Sequence, residues 1–316
     1  AQGRHNIDLR EGARTNFAVE NWAPSYGAAS EDIGAEEATA EVVRSIEVAE
    51  DAWEPMHPAT PPPHLIAFVD GTNRIDAQVW IDEADGNVRP GICATYAAGA
   101  VVCDGIARVT DVRVQRGLFT SSGSAEAITT GHVTYEVRAA TGTLDQLAMS
   151  VIDRMRHLEA DVARGVTDVE LIVLDGLLWG REDIPNAIGY IKSHRTPYLP
   201  AELNAIVSAL SPGERSPLFL VTTSWTRYSW YVRLPGSSGH PWSGVVRCEA
   251  NPDISSAEAA ALADRATAAL PRFASSRHRD PRAPQNLYPI GGLERELRRR
   301  SGDARFIYRS LLTTAG

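Results

Sequence analysis

The chain has 316 residues, 43% hydrophobic and 22% charged, a balance that excludes a largely disordered protein and allows one large core or two modest ones. No apolar run approaches the roughly 18 to 20 residues that span a bilayer, and Ala1 to His5 carry no apolar leader, so the expectation is a soluble, cytoplasmic protein without membrane contact. The net charge of -9 argues against broad nonspecific coating of nucleic acid.

Residues 1 to about 60 mix short helical signals, chiefly the Glu-rich and Ala-rich stretch 35–52, and end in the stiff connector Pro61-Pro62-Pro63. Leu65 to Val69 then reads as a buried strand that stops at a turn, Asp70-Gly71-Thr72-Asn73. Ala77–Asp82 and Gly91–Val102 read as further strands around the hairpin signal Asp85-Gly86-Asn87, giving three sequential antiparallel strands. A polar stretch near 117–131 follows. Leu144, Leu147, Val151, Met155, Leu158 and Val162 recur at helical spacing, so an amphipathic helix runs to about Gly165. Val169–Leu174 is a second apolar strand, stopped by Asp175-Gly176, and the helix crossing to it implies parallel pairing with the first. Beyond Ile184–Lys192 the pattern predicts a helix near 200–210, strands at 218–223, 229–234 and 244–249, an Ala-rich helix at 255–270 and one or two charged helices over 290–313. Cys93, Cys103 and Cys248 are scattered without CxxC spacing, so neither a disulfide framework nor a zinc site is indicated.

Two parallel strands that each end in Asp-Gly place Asp70 and Asp175 at one edge of the sheet. Glu159 lies on the crossing helix at the border of its apolar stripe and can join them. Three carboxylates suit hard divalent cations, and two such ions can activate water and stabilise a leaving oxygen in phosphodiester cleavage. Either Asp-Gly alone is more often a turn signal. Arginines concentrated over 272–300 leave room for a local basic channel. Trp225, Trp230, Tyr231 and Trp242 could stack bases, but aromatics in strands are more often core.

The segments FVDGT (68–72), RHLEADVA (156–163), VLDG (173–176), AIGYIKSHRTPYL (187–199) and NLYPIGGLERELRRR (286–300) together resemble the NurA nucleases. The resemblance implies an α/β fold, an RNase H-like mixed sheet flanked by helices, with N-terminal and C-terminal helical extensions. Residues 1–60 would be an extension for dimerisation or partner binding, and 61–316 the nuclease domain. It further implies a homodimer that acts on DNA with a HerA-type hexameric ATPase translocase, in end processing or anti-phage defence, as a 5′-to-3′ exonuclease and single-strand endonuclease. Manganese would be the cofactor, with magnesium as a substitute. Carried over by position, Asp70, Glu159 and Asp175 would bind metal and Lys192 would contact phosphate. Where the family's last motif has a histidine, this chain offers Glu296, expected as a replacement ligand. His194, Arg195 and Tyr288 are weaker candidates for substrate contact.

Two other readings stay open. The Asp-Gly pairs also suit the phosphate loops of sugar-kinase and actin-like ATPases, although no internal repeat supports that fold. The missing histidine and the acidic balance suit a catalytically impaired adaptor that guides DNA for a motor.

Overall fold

The structure, a computed structural model, describes residues 40–83, 86–194, 198–236 and 239–315. Three long strands dominate: β2 (Ile66–Asp82), β3 (Val88–Cys103) and β4 (Ala107–Thr120), each antiparallel to the next. They follow β1 (Glu41–Val43), a short strand at the far edge of the sheet. β3 is buried on both faces for most of its length. Its run of small residues explains how: Ala94, Ala98 and Ala100 face one helical layer, while Ala97 and Gly99 face the other.

After β5 (Ile128–Thr129) and β6 (Thr134–Ala139), the chain enters α1 (Leu144–Arg164). A reciprocal cap between Thr143 and Gln146 opens the helix, a device that stabilises by about 1 kcal/mol. Its stripe of Leu147, Val151, Met155, Leu158 and Val162 is buried against β2 and β3, each side chain contributing roughly 1.5–3 kcal/mol. The helix delivers the chain to β7 (Leu171–Asp175), which lies parallel to β2, and β8 (Ala187–Ile191) adds in parallel to β7.

Then come α2 (Ala201–Ala209), β9 (Phe219–Thr222), β10 (Thr226–Arg233), β11 (Val245–Ala250) and α3 (Ser256–Ala269). The chain ends in α4 (Tyr288–Arg300) and α5 (Ala304–Ala315). Among the described residues one mixed sheet holds eleven strands in the order β1-β9-β10-β11-β8-β7-β2-β3-β4-β6-β5. α1 covers one face of its centre, and α3 and α4 cover the other. No helix among the described residues is long and apolar enough to cross a membrane.

Three expectations need correction. Asp70-Gly71 is not a turn, because the strand runs through it and includes the stretch read separately as Ala77–Asp82; β3 pairs with it continuously apart from a bulge between Ile75 and Ala77. The described part of the Glu-rich stretch 35–52 is not an α-helix: Glu41–Val43 pairs with β9, and Trp53 enters the core beside Phe219. Sheet pairing here overrides helix propensity. Finally, α4 is no terminal appendage, since Ile290, Leu293 and Leu297 belong to the central core.

Candidate metal centre

The last residue pair of the parallel β2–β7 ladder is Val69 opposite Leu174, so the next residues, Asp70 and Asp175, emerge beside one another. β7 stops because Gly176 adopts φ +92°, a backbone conformation that favours glycine. Gly71 serves a different purpose: any Cβ there would collide with the Glu159 carboxylate and with Met155. Its missing side chain lets α1 press Glu159 against the strand.

α4 completes the cluster. Ligand oxygens of Asp70, Asp175 and Glu294 all lie within 4.8 Å of one another, with Asp70 and Glu294 buried. Arg282 forks onto Glu294 at 3.0 and 2.8 Å and also holds Asp280. Lys192, just past the end of β8, donates to Asp175 at 2.6 Å and to Asn286 at 3.1 Å, and Asn286 in turn donates to Asp280 at 2.7 Å. Burial first, and the Asp175 carboxylate next, push the Asp70 carboxyl well above its usual range; Lys192 only partly opposes them. Glu159 is ion-paired with Arg181 at 3.1 Å, yet burial and Asp175 still raise it to about 7.

These groups line a cleft of about 480 Å³ together with Arg74, Arg156, Arg298 and Trp179. At Asp70 the burial and the neighbouring carboxylates outweigh the relief that Lys192 gives. That donor set fits a hard divalent cation, with Asp70, Asp175 and Glu294 as the oxygen ligands.

Of the residues expected from the sequence, Asp70, Glu159, Asp175 and Lys192 line this one cleft. Glu296 does not: it pairs with Arg299 at 2.8 Å and Arg300 at 2.7 Å, and lines a separate groove. The carboxylate that α4 turns toward the aspartates is Glu294. Tyr288 lines that second groove too, with its hydroxyl 2.6 Å from the Ser276 hydroxyl and Arg279 over its ring. His194 packs against Tyr231 and Trp242 and donates from Nε2 to the Val245 carbonyl, a packing role instead of a phosphate contact. Arg195 lies outside the described residues. Trp230 and Tyr231 are core residues, as expected of aromatics in strands.

Glu294, Arg282 and Asn286 escaped the sequence reading. For Glu294 a signal existed: Ile290, Leu293 and Leu297 form the apolar stripe of α4, and Glu294 borders that stripe while Glu296 points away from it. Arg282 is marked only as one of the arginines over 272–300 and Asn286 only as the first residue of the 286–300 segment; nothing local shows that they reach the site from the segment between α3 and α4.

No protein-family model and no curated protein matches the chain. Among solved structures, it is similar to the NurA nuclease from Sulfolobus solfataricus, with 12% identity over 79% of this chain and 84% of that one, at a TM-score of 0.45.

Proposed function

We propose that this chain is a divalent-metal-dependent nuclease that hydrolyses phosphodiester bonds of DNA. The observation that carries the reading is the convergence of Asp70, Asp175 and Glu294 beside Lys192 in an arginine-lined cleft. When bound, a divalent cation lowers the pKa of water and stabilises the leaving oxygen.

The chain's own residues do the rest. Asp70, Asp175 and Glu294 would hold the cation, and Glu159 adds a carboxylate at their flank. Lys192 keeps a positive charge at the Asp175 edge, where negative charge grows on the phosphoryl oxygens as the bond breaks. Arg282 fixes the rotamer of Glu294, and Arg156 and Arg298 present cations to flanking phosphates.

The five central strands, β4-β3-β2-β7-β8, are three antiparallel strands followed by a helix crossing to two parallel ones. That arrangement supports an RNase H-like core. Manganese in preference to magnesium, a homodimer and a HerA-type ATPase partner belong to the same proposal and rest on the sequence resemblance.

The test is cleavage of end-labelled single-stranded and double-stranded DNA with manganese, magnesium or EDTA, with and without a HerA-type ATPase. Manganese-dependent cutting that EDTA stops and Asp70→Asn removes is the expected result. An inert protein under every condition, or an undiminished Asp70→Asn variant, rejects the proposal.

A further inference from the structure

Trp179 stands at the wall of the carboxylate cleft, in the connection between β7 and β8, and is 44% exposed. The sequence-derived aromatic candidates did not include it. Its position is fixed on both sides. Gly176 and Tyr190 exchange two backbone hydrogen bonds of 2.9 Å. Leu178, fully buried, donates its backbone N–H to Glu249 at 3.1 Å, and Arg227 and Arg247 hold that carboxylate at 3.0 and 3.1 Å. Arg181 closes the turn with its backbone N–H on the Leu178 carbonyl, while its guanidinium bonds to the Leu177 carbonyl and to Glu159.

A large apolar ring held open to water on a pinned turn has a surface for a flat partner and little entropy to lose on meeting one. The same cleft presents Arg156 from α1 and Arg298 from α4, two cations suited to a polyanion. Flat rings strung on phosphates are what a nucleic acid strand offers, and only an unpaired base exposes a face for stacking.

We infer that Trp179 is a stacking platform for an unpaired base of the nucleotide next to the phosphate that a cation at Asp70, Asp175 and Glu294 would hold. The inference rests on the nuclease proposal and adds the residue on which a base beside the scissile phosphate stacks. A blunt duplex, whose bases already stack on one another, gains nothing from this ring until its end frays.

The experiment compares wild type, Trp179→Ala and Trp179→Phe on a single-stranded oligonucleotide with manganese, and on a set of the same oligonucleotide with one abasic site moved stepwise along it. Trp179→Ala is expected to raise KM about tenfold, in line with the loss of one base–aromatic stack, while kcat changes much less. Trp179→Phe recovers most of the loss. At one position the abasic site raises the wild-type KM by a similar factor and leaves that of Trp179→Ala unchanged. A merely structural tryptophan would not produce that coupling. If Trp179→Ala cuts with the wild-type KM, or if every abasic site affects both proteins equally, the inference is overturned and the nuclease proposal stands. If wild type neither cuts nor binds the oligonucleotide, both fall together.

Discussion

Two buried clusters of charge lie in this sheet protein, and they are built on opposite plans. Toward the β1 edge, Arg215 is almost wholly buried and satisfied on all sides: it bonds to Asp264 at 2.8 Å and forks onto Glu47 at 2.8 and 2.7 Å. The carboxylates are tied in turn, since Leu218 and Ala59 donate backbone N–H groups to Glu47 and Asp264. Burial alone would raise Glu47, but Arg215 and the Leu218 N–H outweigh it and hold its carboxyl below the usual range. At the centre, the direction is reversed: burial and the neighbouring Asp175 carboxylate push Asp70 up further than Lys192 brings it down. The first cluster joins the segment before β2 to the sheet and to α3. The second crowds carboxylates close enough for Asp175 and Glu159 to raise Asp70, which costs stability unless something cationic is to be held among them.

Activity shows the widest gap between the two plans. Asp70→Asn is expected to bring cleavage down to the level seen in EDTA while leaving the melting temperature in EDTA unchanged or higher, because the substitution removes like-charge repulsion. A variant that is both inactive and strongly destabilised would mean that Asp70 is a structural residue. Arg215→Met is the converse. It leaves Glu47 and Asp264 buried without their cation and should cost about 3–5 kcal/mol in chemical denaturation. Loss of less than about 1 kcal/mol would show that solvent reaches those carboxylates more freely than their burial implies.

Acidity separates the clusters next. Glu159 is raised to about 7, so the folded protein holds a proton there that the unfolded chain has released; the resulting stability is complete below the ordinary value of 4.5 and disappears as pH rises through 7. Glu47 has the opposite sign: its contribution is present above its ordinary value and is lost as pH falls through the lowered one. Melting curves in EDTA between pH 3 and 8 should therefore show the high-pH decline softened in Glu159→Gln and the acid decline softened in Glu47→Gln. Manganese should raise the wild-type melting temperature more at pH 7.5 than at pH 5, where protons compete for the same oxygens. Equal shifts at both values would place the metal elsewhere.

The sequence exposes the parts of the centre that depend on local pattern. Asp70 and Asp175 follow apolar strand runs, and Glu159 borders a periodic stripe, so each is visible within a dozen residues. The parallel pairing that joins the aspartates follows from one crossing helix. What stays hidden is the contribution of chain folded back from more than 90 residues away. Asn286 meets Lys192 across 94 residues, and the Arg282–Glu294 pair, itself twelve residues apart, reaches the aspartates only because the segment after α3 is packed against the sheet centre. The continuation of β2 through Asp70-Gly71 is hidden for a related reason: whether Asp-Gly turns the chain depends on what lies across from it, and here β3 offers Gly99 and Ala98 as partners for an extended strand.

The finest comparison lies within α4, between two glutamates two residues apart. Successive helical residues are rotated by about 100°, so Glu294 and Glu296 project roughly 200° apart and cannot both reach the aspartates. Glu294 is buried and clusters with Asp70 and Asp175, whereas Glu296 is held down to about 2 by the Arg299 and Arg300 guanidiniums on the outer side of the helix. Glu296→Ala should therefore leave metal-dependent cleavage at the wild-type rate and release only an exposed ion pair, while Glu294→Ala removes a ligand and leaves the Arg282 guanidinium in its place. Measuring both variants over a manganese titration distinguishes helix orientation from helix presence. If Glu296→Ala weakens the manganese dependence and Glu294→Ala does not, α4 must turn its other face to the sheet in the working protein, and the three-carboxylate centre proposed here is wrong.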